Sequence, residues 1–136
     1  MALHRRLLFL ALLIVAAFTG ACEPPLHVQL ASSEESLPSP AFVIREPSRS
    51  EGAPRFDLVR ISHVDGTQVW TIRARGSLGG PGPARLVYGV VPDGFEEVQP
   101  ALPLEAGRTY AVSVSGEGRG GIHFRIREDG SLTAAP

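Results

Sequence analysis

Leu104-Glu105-Ala106-Gly107-Arg108-Thr109-Tyr110-Ala111-Val112-Ser113-Val114-Ser115 is the stretch that decides the fold class. From Tyr110 onward the side chains alternate, with Tyr110, Val112 and Val114 large and Ala111, Ser113 and Ser115 small. Successive residues of a strand point to opposite faces, so this period of two predicts a strand with one buried face. Gly107 supplies a turn just ahead of it. Ile122 to Arg127 repeats the pattern, with Ile122, Phe124 and Ile126 expected inward and His123, Arg125 and Arg127 outward. The glycine-rich run from Gly116 to Gly121 reads as a flexible hairpin between the two.

Working outward, Phe56 to Ser62 is an apolar-rich run followed by Val64-Asp65-Gly66-Thr67. Asp-Gly between apolar runs is a strong hairpin signal. The return strand is Val69 to Arg75, with Trp70, Ile72 and Ala74 on one face and Thr71, Arg73 and Arg75 on the other. The Gly- and Pro-rich stretch from 77 to 83 reads as a loop. Arg85 to Val91 is expected as a further strand, with Leu86, Tyr88 and Val90 sharing a face, ended by the turn Pro92-Asp93-Gly94. Helical periodicity is absent beyond residue 22. Fifteen Gly and twelve Pro in 136 residues imply many turns and short strands. The fold class is therefore all-β.

The spacing of Leu104, Gly107 and Tyr110 resembles the tyrosine corner of Greek-key sandwiches, whose Tyr hydroxyl bonds back to the backbone. Trp70 lies on an early strand, Tyr88 on a middle one, and Tyr110 opens the penultimate one. With these features residues 42 to 127 resemble a fibronectin type III or related immunoglobulin-like domain. The resemblance implies a small antiparallel β-sandwich over residues 41–130, with 131–136 as a C-terminal tail. The part from Phe56 onward is small for a core without disulfides. Docking of Phe42-Val43-Ile44 as a first strand is expected to enlarge it.

Met1 to Arg6 is positively charged, and Leu7 to Phe18 is an unbroken apolar run. As a helix that run reaches about 18 Å, short of the roughly 30 Å hydrocarbon core of a bilayer. It reads as the core of a signal peptide. The run ends in Phe18-Thr19-Gly20-Ala21-Cys22, with small residues ahead of the single Cys of the chain. This ending resembles the lipobox of bacterial lipoproteins, with Thr19 where that family prefers Leu. The resemblance implies removal of residues 1–21 and a diacylglycerol thioether on Cys22. It also implies residence in the cell envelope, at the outer membrane facing the periplasm because Glu23 rather than Asp follows the Cys. Ordinary secretion with a free Cys22 is the alternative. Two or three acyl chains make such an anchor effectively permanent. Residues 22–40 then read as a Pro-, Ser- and Glu-rich tether. Its Ser32-Ser33-Glu34-Glu35-Ser36 stretch buries too little apolar surface to offset the entropy of ordering. Leu26-Val28-Leu30 reads as a transient contact.

After cleavage the chain would carry 11 Arg against 14 acidic residues, with no Lys. This balance gives no bulk attraction to nucleic acid or to anionic lipid. Gly116 to Gly121 looks like a nucleotide loop, yet no helix follows to receive a phosphate. His27, His63 and His123 lack metal-ligand spacing, so neither metal nor other cofactor is expected. No Gly-x-Ser-x-Gly occurs. Glu96 and Glu97 would point to opposite faces of a strand, unsuited to shared acid–base work. One constellation suits binding. If the penultimate strand lies between the Arg85 strand and the last strand, Arg85 flanks one side. His123, Arg125 and Arg127 flank the other, with Ala111, Ser113 and Ser115 between. Such a cationic trough fits carboxylates or phosphates, on an envelope protein or another anionic surface. A solvated exterior with each Arg paired to a Glu is the plainer reading. The expected function is a lipid-anchored binding or scaffolding module without catalysis. The alternatives are a small envelope enzyme or enzyme inhibitor, and a structural component with no ligand.

Overall fold

Two layers of antiparallel strands pack face to face in the computed structural model, which describes residues 24–49, 51–76 and 80–136. The apolar run, Thr19 and Cys22 lie outside the described residues. The strands are β1 (His27–Leu30), β2 (Ala41–Arg45), β3 (Leu58–His63), β4 (Gln68–Ala74), β5 (Arg85–Val87), β6 (Phe95–Gln99), β7 (Thr109–Ser115), β8 (Arg119–Ile126) and β9 (Leu132–Ala135). One sheet has the order β1-β2-β5 and the other β6-β4-β3-β7-β8-β9. This is a small all-β sandwich, the fold class expected from the sequence. The first two strands share a sheet with β5, and β3 lies between β4 and β7 in the other. Among the described residues no helix is long and apolar enough to cross a membrane.

The alternating residues form the core. Val59, Ile61, Trp70, Ile72, Val112 and Val114 are buried from the larger sheet, and Phe42, Ile44, Leu86 and Tyr88 close over them from the smaller. Aromatic pairs bridge the layers, Phe42 on Phe124 at 5.4 Å and Trp70 against Tyr88 at 5.3 Å between ring centroids. Such pairs add about 0.5–1.5 kcal/mol beyond area burial. The tyrosine corner forms as the spacing predicts, with the Glu105 backbone N–H donating to the Tyr110 hydroxyl at 2.9 Å. Gly107 makes the turn with φ +80°. The Asp65-Gly66 hairpin also forms, Asp65 Oδ1 accepting the Thr67 N–H at 2.8 Å.

Three local expectations are corrected. First, much of the expected tether is part of the sandwich. Leu26 and Val28 are buried, and β1 pairs with β2 along its length. Glu35 accepts the Ala41 N–H on its carboxylate at 2.7 Å and the Leu132 N–H on its carbonyl at 2.9 Å. The polar stretch orders because its oxygens satisfy backbone donors that would otherwise lack partners. Second, the tail from 131 contains β9, with Leu132 buried. Third, the strand from Arg85 ends at Val87. Gly89 turns the chain at φ +80°, and Val90 is left 57% exposed rather than sharing the buried face. On the face opposite Trp70, Thr71 is itself buried. Its hydroxyl donates to Gln68 Oε1 at 2.7 Å, where a bulge interrupts the β4–β6 pairing.

Candidate binding surfaces

The outer face of the six-stranded sheet is built by the small alternate residues of β7 and their neighbours. Arg60 on β3 stands beside Ser113, which stands beside Gly121 on β8. One step along, Ser62, Ala111 and His123 form a row, and beyond it Thr109, Arg125 and Thr133 form another. Arg60, Ser113, His123 and Arg125 are exposed. From strand spacing and rise, Arg60 and Arg125 stand about 10 Å apart across the sheet and about 13 Å along it. The structure thus brings Ser113, His123 and Arg125 together as expected. Arg127 follows on the same side, its guanidinium donating to Ser131 Oγ at 3.3 Å.

Arg85 does not belong to this face. It lies on β5, in the other sheet, because β7 takes β3 as its neighbour rather than the Arg85 strand. Arg60 fills the place assigned to Arg85. Its outward position is visible in the sequence, since Arg60 alternates with Val59 and Ile61, but the pairing of β3 with β7 is not. Of the arginines here, Arg73 is paired with Glu96 across the β4–β6 ladder. Among the described residues no carboxylate forms an ion pair with Arg60 or Arg125. Glu97, on the opposite side of β6, accepts the Trp70 indole N–H at 2.9 Å. The two adjacent glutamates therefore serve different faces.

A second basic feature lies at one end of the smaller sheet. His27 and Arg45 are cross-strand partners on its outer face, and Arg85 sits beside Val43, two residues back along β2. Together with Arg49, His27 and Arg45 line a cleft of about 430 Å3 floored by Ile44, Pro47, Pro54 and Ala84. The carboxylate in its lining, Glu46, is buried and already spent. It accepts the Arg55 N–H at 2.9 Å, bonds the Arg55 guanidinium and receives the Ser48 hydroxyl at 3.3 Å. The Arg55 hydrogen bonds hold its carboxyl down to about 2 against the upward push of burial. Arg55 also meets Glu117 at 3.1 Å.

The three histidines among the described residues are separate. His27 is at the cleft, His63 packs on Tyr110 at 4.8 Å, and His123 is on the large sheet. Among the described residues no three His, Cys, Asp or Glu converge as a metal site would require. The glycine-rich run is a turn only from 116 to 118, and Arg119 already begins β8. Compared with protein-family models, with curated proteins and with solved structures, the chain matches none.

Proposed function

We propose that this protein is a lipid-anchored module of the bacterial envelope that binds an anionic partner on the outer face of its larger sheet. The anchor reading rests on Gly20-Ala21-Cys22 behind a short apolar run. The binding reading rests on one observation, the pair Arg60 and Arg125 without carboxylate partners among the described residues, separated by Ser113, Ala111 and Gly121. Small side chains leave both guanidinium groups accessible from one side. Guanidinium groups so placed offer paired N–H donors to carboxylates of an envelope protein or an anionic polymer.

The tests are separable. Radiolabelled palmitate should enter the chain in growing bacteria and be lost in Cys22→Ser. In-cell cross-linking should capture a partner, and Arg60→Glu with Arg125→Glu should reduce that capture at least tenfold, as loss of charge-assisted bonds worth about 1.5–3 kcal/mol implies. Unchanged capture by the double variant would remove the large-sheet face from consideration.

A further inference from the structure

The path of residues 24–26 fixes which end of the sandwich faces the anchor. Leu26 donates its N–H to the Arg119 carbonyl at 2.9 Å, and Pro24 crosses directly over Gly118. That end of the molecule holds the β7–β8 turn, the start of β5 and residues 46–49 and 51–55. Cys22 is two residues from Pro24, a span of at most about 7 Å. With β1 inside the domain, no tether of the expected length remains between lipid and sandwich. The basic cleft of His27, Arg45 and Arg49 lies at this same end.

The two ends differ in charge. The far end carries Glu34, Glu35, Asp65, Glu105, Glu128 and Asp129, with Arg108 and Arg127 as its cations. The near end carries Arg45, Arg49, Arg75, Arg85 and Arg119 in addition to the Arg55–Glu46 pair, with Glu51, Asp57, Asp93 and Glu117 as its other acids. Among the described residues neither Arg45 nor Arg49 forms an ion pair. Arg49 also lies over Gly52, with Nη2 3.4 Å from where a β-carbon would stand. With six acids against two arginines, the far end is repelled by an anionic bilayer surface more than the near one, whose local cluster of Arg45 and Arg49 is what such a surface attracts.

We infer that the sandwich rests directly on the bilayer by its near end, with the cleft of His27, Arg45 and Arg49 seated on the phosphates of anionic lipid headgroups. The inference builds on the lipid-anchor reading but is tested apart from it. The guanidinium groups of Arg45 and Arg49 would donate to headgroup oxygens, and the acidic far end would project away from the membrane. The face bearing Arg60 and Arg125 then stands upright, clear of the lipid and open to a partner.

The full chain, expressed in bacteria and purified in detergent, is reconstituted in phosphatidylcholine vesicles with and without phosphatidylglycerol. Amide exchange is then followed at 45–49 and at the far-end turn 127–131. Each Arg near an anionic surface is worth roughly fivefold. Exchange at 45–49 should therefore slow by up to about 25-fold on phosphatidylglycerol vesicles, with 127–131 unaffected. Arg45→Glu with Arg49→Glu should abolish the slowing, while Arg60→Glu with Arg125→Glu, an equal change of charge, should keep it. Equal exchange on both vesicles overturns the inference, as does slowing that survives the first double variant or is lost in the second. Slowing reproduced by millimolar inorganic phosphate on phosphatidylcholine also overturns it, in favour of a free-phosphate site. The mass of the peptide containing Cys22 reports the lipid independently. If it shows none, the anchor reading falls. The same chain added to phosphatidylglycerol vesicles then still supports the cleft if slowing at 45–49 depends on Arg45 and Arg49, and overturns it otherwise.

Discussion

At the scale of single residues, Glu46 makes the most consequential polar contact. It is buried at 5% exposure and bonded to the backbone and guanidinium of Arg55. Those bonds, with burial opposing them, lower its carboxyl to about 2 from an ordinary value of 4.5. A carboxyl depressed in the fold stabilises it fully above the unfolded value. That contribution fades as pH falls through the interval from 4.5 toward 2. Glu46→Gln should therefore cost about 2 kcal/mol at neutral pH, the range for a hydrogen bond to a charged group. The difference from the parent should shrink as pH approaches 2. Urea midpoints followed by the fluorescence of Trp70, the single tryptophan, measure both. A gap that holds constant down to the acid limit contradicts the assignment. Other polar residues act more locally. Asp65 and Asp129 are lowered by hydrogen bonds from Thr67 and Ser131 in their own turns. Burial pushes the Tyr88 hydroxyl up to about 12, and that hydroxyl donates to the Leu102 carbonyl at 2.6 Å.

At the scale of elements, the glycine-rich run has a packing purpose. A β-carbon on Gly120 would stand 1.8 Å from the Leu26 carbonyl oxygen, and one on Gly118 1.6 Å from that of Pro24. These atoms are backbone on both sides, so a side chain cannot be accommodated by a rotamer change. Glycine here permits the segment leading into β1 to cross β8 at backbone distance. Gly120→Ala should detach residues 24–28 and expose Leu26 and Val28, costing about 2–4 kcal/mol in lost burial. Exchange mass spectrometry should show faster exchange at β1 with β3 and β7 still protected. Gly76→Ala, with open space around it, should change stability by less than about 0.5 kcal/mol. Retained β1 protection in Gly120→Ala would mean the crossing is not held as described. The same closeness explains why nucleotide-loop chemistry does not fit this run. Its glycines face the protein's own backbone.

At the scale of the whole molecule, the boundary of the domain carries the prediction. A chain beginning at residue 41, where the docking of Phe42-Val43-Ile44 places the expected start, lacks Leu26, Val28 and the Glu35 bonds to Ala41 and Leu132. A chain of residues 24–136 retains all of them. The longer one should unfold in a single cooperative transition by circular dichroism. The shorter one should be at least about 3 kcal/mol less stable, the cost of two buried aliphatic side chains. Equal stability would return residues 24–40 to the role of a tether. Much of the sandwich is legible in the sequence by itself. The alternation of Tyr110, Val112 and Val114, the Asp65-Gly66 turn and the Leu104–Tyr110 corner are properties of adjacent residues, and short-range geometry dictates them. They determine that the chain is all-β and which side chains of β7 and β8 face outward. Which strand lies beside β7 is not legible there, and so Arg85 is expected where Arg60 stands. Nor is it legible that Leu26 and Leu132 find buried sites, or that Glu35 satisfies distant backbone donors. Those outcomes depend on what residues far along the chain present to one another. A period of two records the faces of a strand but carries no address for its neighbour, and only the packed sandwich decides that.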